Sequence, residues 1–194
     1  EQLLLSWELT LRAANKSERT ITIYLNQARY FMAWCESLGV EPRFDRRAVQ
    51  TYLAAELDRG CAGNTVRTRY RGLRQLANWL FAEGETDTMV MTGVAQPQAQ
   101  VTPPPILSEE ETAAIVKACE GPRYIDRRDM AMLRLLMDTG ARASEIVNLK
   151  MSDIDLREGV ATVTGKGNRV RLVPFGPTTA RMVDKYLRAR RQHR

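Results

Sequence analysis

A chain of 194 residues has room for one large domain or two small ones, and a 44% hydrophobic content is enough to bury a core. No apolar run approaches the roughly 18 residues that a membrane span requires, and the first residues lack the basic, apolar and small-residue order of a secretory signal. The formal charge of +6 and a pI near 9.5 point to a polyanionic partner.

The charge is unevenly placed. Residues 1–84 carry twelve basic against nine acidic side chains, residues 85–104 only two acidic ones, and residues 105–194 seventeen against twelve. Two basic blocks on either side of a neutral-to-acidic spacer outline two domains, 1–84 and 107–194, joined by a linker over 85–106. Cys35, Cys61 and Cys119 are odd in number, widely spaced and without CxxC spacing. They read as free thiols in a reducing cytoplasm, with neither a disulfide framework nor a zinc site.

In chain order, Leu3, Trp7 and Leu11 mark a first helix over 3–13. A second runs from the cap Ser17 to Gly39, with Ile21, Tyr24, Ala28, Phe31 and Cys35 on its apolar face. A third begins at Asp45 and ends at Gly60, with Val49, Tyr52, Leu53 and Leu57 as its stripe. A fourth spans Asn64 to Gly84, turning Val66, Tyr70, Leu73, Leu76, Ala77 and Leu80 inward. Four helices with short connections predict an all-α bundle. No period survives from Gly84 to Ile106, where "GVAQPQAQVTPPPI" reads as an extended, semi-rigid linker. "LSEEE" then supplies a capping box from Ser108 and Glu111, opening a helix to Ala118. "IDRRDMAMLRLLMDTG" is a further helix with Met130, Leu133, Leu136 and Met137 buried, closed by Gly140. After a short helix from Ser144 to Leu149 the period becomes two. "GVATVTGKGNRVRLVPF" alternates around a Gly-Lys-Gly-Asn turn as a β-hairpin, "SDIDL" is a candidate third strand, and a basic helix starts at Pro177. The whole reads as mainly α, with a small antiparallel β-sheet in the second domain.

Two residues in this second half ask for chemistry. Arg142 follows a Gly-Ala turn at the mouth of a helix, beside backbone N–H groups, and Glu145 sits three residues on. An arginine fork at such a place suits a phosphate. Lys166 stands between two glycines at a hairpin tip, where no core packing wants it. A tight helix corner and an exposed turn account for each residue alone. Converging on one phosphodiester, the two are a phosphoryl-transfer pair.

A four-helix basic domain, a proline-bearing linker, "LSEEE", "TGARASEIVNLKMSDID" and "VTGKGNRVRLVPF" occur in that order. In this the chain resembles the tyrosine recombinase (phage integrase) family over nearly its whole length. "TGARASEIVNLKMSDID" is similar to the family's Thr-Gly-hydrophobic-Arg-x-Ser-Glu-hydrophobic-x-x-Leu box, and "GKGNRVRLVP" to its lysine hairpin. The resemblance implies an N-terminal SAM-like core-binding bundle, followed by part of an α+β catalytic domain. It implies a site-specific recombinase that cuts and rejoins DNA by metal-free, cofactor-free transesterification, through a 3′-phosphotyrosyl bond. On the same basis Arg142 grips the scissile phosphate, Lys166 protonates the leaving 5′ oxygen, and Glu145 supports the cluster. The implied partner is double-stranded DNA held by a homotetramer, although this chain is expected to be a monomer without DNA. The expected location is cytoplasmic and nucleoid-associated.

Residues suited to DNA phosphates and grooves are Lys16, Ser17 and Thr20 at the start of the second helix, Arg67, Arg71 and Arg74 on one face of the fourth with Arg69 beside them, and Arg169 and Arg171 on the hairpin. A solvated basic face is the plainer account of the same residues. Trp7, Trp34 and Trp79 read as core anchors. The family's His-x-x-Arg box, its further His or Trp and its nucleophilic tyrosine have no match in this sequence. His193 lies too close behind the hairpin, and Tyr186 sits at core spacing in the last helix. The chain is thus expected to hold half an active site, as a piece of a longer protein or a natural truncation. The second case makes it a non-catalytic DNA-binding regulator or decoy. A helical protein-interaction module, with its charge serving solubility, is a third reading.

Overall fold

The computed structural model describes residues 2–98, 103–165 and 167–193. The chain divides into two compact units, Glu1–Pro103 and Pro104–Arg194. Among the described residues no helix is long and apolar enough to cross a membrane.

The first unit contains α1 (Gln2–Ala13), α2 (Glu18–Ser37), α3 (Arg46–Asp58) and α4 (Gly63–Ala82). Short polar side chains start two of them: the Ser17 hydroxyl accepts the Thr20 N–H at 3.2 Å, and Asp45 accepts the Ala48 N–H at 2.9 Å. Phe31, Tyr52, Val66, Tyr70 and Leu73 join α2, α3 and α4 in one buried cluster. Trp7, Leu11, Ile21, Leu25 and Trp79 hold α1 in another, and the Trp79 indole N–H donates to Thr10 Oγ1 at 3.1 Å.

Four expectations for this unit are corrected. The stretch read as linker from residue 85 is packed over its first part, because Val90, Met91 and Val94 enter the α2–α4 cluster. The Tyr70 hydroxyl secures that segment by donating to the Val94 carbonyl at 3.2 Å. It is an irregular turn, so its apolar residues follow no period and its packing leaves no periodic trace. On α1, Leu3 is 45% exposed and its neighbour Leu4 packs instead. On α3, Leu57 is 47% exposed while Glu56 is only 2% exposed. Glu56 completes the helical spacing of Val49, Tyr52 and Leu53, so the geometry buries a carboxylate.

That carboxylate is met by two arginines. Arg59 Nη2 lies 2.7 Å from Oε1, and Arg69 reaches across from α4 to Oε2. The Arg69 side chain is 11% exposed, and its guanidinium lies 4.5 Å from the centroid of the Tyr30 ring. Arg69 is therefore a structural residue of the bundle and not the DNA contact expected of it.

The second unit contains α5 (Glu109–Ala118), α6 (Tyr124–Thr139), α7 (Ala143–Val147), a 3₁₀ turn (Met151–Asp153), β1 (Ile154–Asp155), β2 (Val160–Thr164), β3 (Val170–Pro174) and α8 (Pro177–Gln192). The strands form an antiparallel sheet in the order β1-β2-β3, with Val160 opposite Pro174 and Thr164 opposite Val170. The Ser108–Glu111 capping box opens α5 as expected. Ala131 and Leu135 of α6, Ile146 of α7, Ala161, Val163 and Val173 of the sheet, and Val183 and Leu187 of α8 make one core, with Tyr186 packed against it. Met137 is 44% exposed, not buried, because Leu135 takes the inward position on α6. Asp138 accepts the Gly176 N–H at 2.8 Å and so fixes where α8 begins.

Removing one partner of a buried ion pair leaves the others desolvated and unpaired, at a cost of about 3–5 kcal/mol. Glu56→Gln should therefore destabilise the first unit by about that much. All three tryptophans, Trp7, Trp34 and Trp79, lie in this unit. Urea unfolding followed by tryptophan fluorescence reads it alone, and an unchanged midpoint would remove the structural role of the cluster.

Candidate active site and nucleic-acid interface

The α6–α7 corner begins with a backbone constraint. Gly140 closes α6 at φ 58°, and its N–H bonds the Leu136 carbonyl at 3.0 Å; a side chain would strain this left-handed turn. Ala141 tucks into the core at 7% exposed, which aims the next residue outward. Arg142 is the N-cap of α7 in extended conformation, with φ −70° and ψ 147°.

Glu145 folds back over this cap. Its Oε2 accepts the Arg142 backbone N–H and its Oε1 accepts Arg142 Nη1, both at 2.8 Å. Arg171 arrives from β3 and donates Nη1 to Oε1 and Nη2 to Oε2, again both at 2.8 Å. The Glu145 side chain is 2% exposed. Its pKa is pushed down to about 2 by the Arg171 hydrogen bonds first and the Arg142 backbone bond next, against the burial that would raise it. Gly165, at the end of β2, passes so close that a Cβ there would sit 2.8 Å from Glu145 Oε1. Its N–H donates to the Arg169 carbonyl at 2.8 Å and closes the hairpin neck beside the carboxylate. Arg142 itself remains 67% exposed at the side chain. The result is a guanidinium fork that is held at one nitrogen and open to solvent elsewhere, on a rigid corner.

The structure corrects parts of the sequence reading here. The helix mouth does not offer its first N–H to a phosphate, since Glu145 occupies the Arg142 amide, and α7 is only five residues long. What the site presents is the arginine side chain. The Arg171 side chain is 41% exposed, but both its terminal nitrogens already donate to Glu145, so the DNA contact expected of it would compete with that pair. A signal for this was present in the alternation: Arg171 shares its face of β3 with Val173, which is 5% exposed, while Val170 and Leu172 are 63% and 68% exposed. Lys166 lies outside the described residues. Its neighbour Gly165 places the base of the hairpin turn against Glu145.

In the first unit Arg71 and Arg74 are exposed on α4. They line a cleft of about 320 Å³ with Tyr24, Gln75, Asn78 and Gln96, none of which was read from the sequence as a binding residue. Gln75 and Asn78 follow the two arginines by four residues, the helical spacing that could have found them. Arg67 is half-buried beside Gln96, whose amide oxygen, turned towards it, accepts Nη2 at 3.1 Å. Lys16 and Ser17 are exposed and Thr20 half-buried at the α2 start, where the Ser17 and Thr20 hydroxyls are 2.8 Å apart. Arg169 is exposed on the hairpin.

Residues 3–84 match the phage integrase N-terminal SAM-like domain, and residues 105–194 match the phage integrase family. The chain belongs to the phage integrase, or tyrosine recombinase, family. It is 31% identical over 176 residues to the tyrosine recombinase XerD of Pseudomonas aeruginosa, covering 90% of this chain and 59% of that protein. It is 28% identical over 172 residues to the tyrosine recombinase XerC of Staphylococcus carnosus, covering 88% and 58%. This integrase-family chain thus spans about 59% of the length of the curated relatives it matches. In fold it resembles a lambda integrase dimer bound to a COC′ core site, with a TM-score of 0.72 at 20% identity over 95% of this chain and 53% of that one. It also resembles the XerH site-specific recombinase bound to a palindromic difH substrate, with a TM-score of 0.68 at 18% identity over 92% and 55%.

The depressed pKa of Glu145 bears on the stability of the second unit. A carboxylate whose folded pKa lies below its unfolded value stabilises the fold above the ordinary carboxylate range, and that stabilisation is lost as pH falls towards the folded value. For Glu145 the window runs from its ordinary 4.5 down to about 2. The parent should therefore exceed Glu145→Gln in stability at pH 7, and the difference should shrink as pH falls through that window. Urea unfolding of residues 104–193, followed by their amide NMR signals at pH 7, 4 and 2.5, measures it; a pH-independent difference would contradict the ionised carboxylate.

Proposed function

We propose that this chain is the DNA-clamping bundle and the first part of the catalytic domain of a site-specific tyrosine recombinase. The observation that carries the reading is Arg142, braced at its base by a buried carboxylate yet two-thirds exposed. A guanidinium so held loses little freedom when it closes on a phosphate, and its remaining donors match two phosphate oxygens. In a family of DNA recombinases, that phosphate is the scissile one.

The assigned roles follow from charge and position. Arg142 stabilises the extra negative charge of the pentacoordinate phosphorane. Lys166 gives a proton to the 5′ oxygen as the P–O bond breaks, so that it leaves as a neutral alcohol. A tyrosine hydroxyl outside these residues gives up its proton to solvent and attacks phosphorus, so that the 3′-phosphotyrosyl bond forms as the P–O5′ bond breaks. Glu145 supports Arg142 and takes no part in bond-making. Residues 1–84, extended by the packed segment through Val94, act as the DNA-binding domain, and residues 107–194 as the beginning of the catalytic domain. Lys16, Ser17, Thr20, Arg67, Arg71, Arg74 and Arg169 are the duplex contacts that remain once Arg69 and Arg171 are assigned to buried carboxylates. The longer protein would work as a tetramer on two duplexes, as the lambda integrase tetramer does on its Holliday junction, and in the cell it would sit with the nucleoid.

Many phosphate contacts share the binding energy, whereas Arg142 acts mainly in the transition state. In the longer protein, Arg142→Ala should abolish covalent protein–DNA adduct while leaving most duplex binding. Lys166→Ala should recover adduct formation on DNA whose leaving 5′ oxygen is replaced by sulfur, since a thiolate needs no proton to depart. Arg142→Ala should gain much less from that substrate. Equal rescue of both variants, or of neither, would overturn the role assignment.

Arg71→Ala gives a separate test with the 194-residue chain. Loss of one phosphate contact should lower the slope of log affinity against log salt by about 0.9 without changing the unfolding midpoint. Arg69→Ala should do the reverse, lowering stability while leaving the salt slope unchanged. Filter binding to duplex DNA across a salt series measures both slopes, and a flat response in the parent would refute DNA contact altogether.

A further inference from the structure

We propose that Arg171 is a positioning residue: by saturating Glu145 it prevents Arg142 from closing on the same carboxylate, and so keeps the Arg142 fork open for phosphate. This deepens the reading that Arg142 grips a phosphate, and rests on it for the identity of the ligand.

The argument is one of acceptor capacity. A carboxylate has about four lone-pair sites, two on each oxygen. At Glu145 all four are taken. Oε1 receives Arg142 Nη1 and Arg171 Nη1, and Oε2 receives the Arg142 amide and Arg171 Nη2. Arg142 can therefore hand this partner only one side-chain nitrogen.

The same unit contains a comparison without the second arginine. Arg123 is the N-cap of α6 and Asp126 lies three residues on, the spacing of Arg142 and Glu145. Asp126 likewise accepts its cap amide, Arg123 N–H, at 3.1 Å. There the fork closes completely, with Nε on Oδ2 at 3.0 Å and Nη2 on Oδ1 at 2.7 Å. The Arg123 side chain is 76% exposed, so solvent does not keep it open. Among the described residues, what Asp126 lacks is a competing guanidinium. Deleting Arg171 would vacate one site on each oxygen of a side chain that is 2% exposed. Vacant sites on a buried carboxylate are costly, and Arg142, which already holds one nitrogen on Oε1, can fill them by closing the rest of its fork. Arg142 would then be internally paired before any phosphate arrived.

The test uses the 194-residue chain with isotopically labelled arginine. NMR resolves each guanidinium and reports rotation about its Cζ–Nη bonds, which is slow when the fork is bidentately bound. Arg123 serves as the internal bidentate standard, and Arg142→Lys assigns the Arg142 signal. In the parent, Arg142 should rotate faster than Arg123, and its signal should shift on titration with a short DNA duplex. In Arg171→Ala, Arg142 should slow to the Arg123 regime and lose the DNA-induced shift. Arg171→Lys, which returns the charge but not the fork, should fall between the two. If Arg171→Ala does not fold, Arg171→Lys carries the test, because an ammonium lacks the planar two-nitrogen fork that fills one site on each oxygen. Arg142 rotating alike in parent and folded variants overturns the proposal. Slowing in the variant, without a DNA shift in the parent, supports the pairing switch and refutes the phosphate reading instead.

Discussion

A carboxylate removed from water must be met by opposite charge and by hydrogen-bond donors. This chain meets that requirement in each unit with one glutamate and two arginines. Glu56 pairs with Arg69 inside the helical bundle and with the solvent-exposed Arg59 beside it, and Glu145 holds Arg142 and Arg171 between a helix corner and a hairpin. Each cluster ties together elements distant in sequence: α3 to α4 in the first unit, α7 to β3 in the second. Without them the apolar cores would still drive collapse, but the alignment of α4 on α3 and of the hairpin neck on α7 would lose its polar register.

The two clusters use the same groups for different ends. In the bundle, the arginine that crosses between helices is 11% exposed and lies against an aromatic ring, so its charge is consumed within the fold. In the second unit the crossing arginine, Arg171, satisfies the carboxylate, and the local arginine, Arg142, stays 67% exposed. A charge that already has one fixed contact needs little reorganisation to gain a second, which is the electrostatic preorganisation that phosphoryl transfer exploits. The basic surface of the first unit is of another kind. Arg71 and Arg74 stand exposed on α4, and contacts of this sort add affinity in small, salt-sensitive increments. The two units thus hold physically distinct populations of arginine, one braced by a buried carboxylate and one exposed on a helix face.

Arginine is the most instructive residue type here because its role is decided by what faces it. Arg67, Arg69, Arg71 and Arg74 are indistinguishable as letters on a helix. The spacing of three and four puts Arg67, Arg71 and Arg74 on one face, and Arg69 to one side. Only the position of α3 reveals that this side meets a buried carboxylate. Likewise Arg169 and Arg171 alternate identically around the hairpin, and the difference between them comes from α7 behind Arg171.

Local interactions were legible in the sequence. Ser17, Asp45 and Ser108 mark helix starts because their side chains reach backbone donors two or three residues away. Gly140 marks an end because only its backbone turns left without strain. The Arg142–Glu145 spacing and the β-hairpin were visible for the same reason, and the order of their motifs along the chain pointed to the family. Non-local partners were not legible. Glu56 takes the inward place that Leu57 was expected to fill, because two arginines, one of them on another helix, neutralise it. Val90, Met91 and Val94 enter the bundle core from a turn with no period, since an irregular backbone can bury side chains at any spacing. Arg171 belongs to Glu145 because the sheet sets β3 beside α7, a meeting of residues 26 apart. The sequence by itself determined most of the elements and the caps at Ser17, Asp45 and Ser108, which depend on neighbours within a turn or two. Only the tertiary structure decided which arginines remain available, because a buried carboxylate claims whichever guanidinium the fold brings within reach.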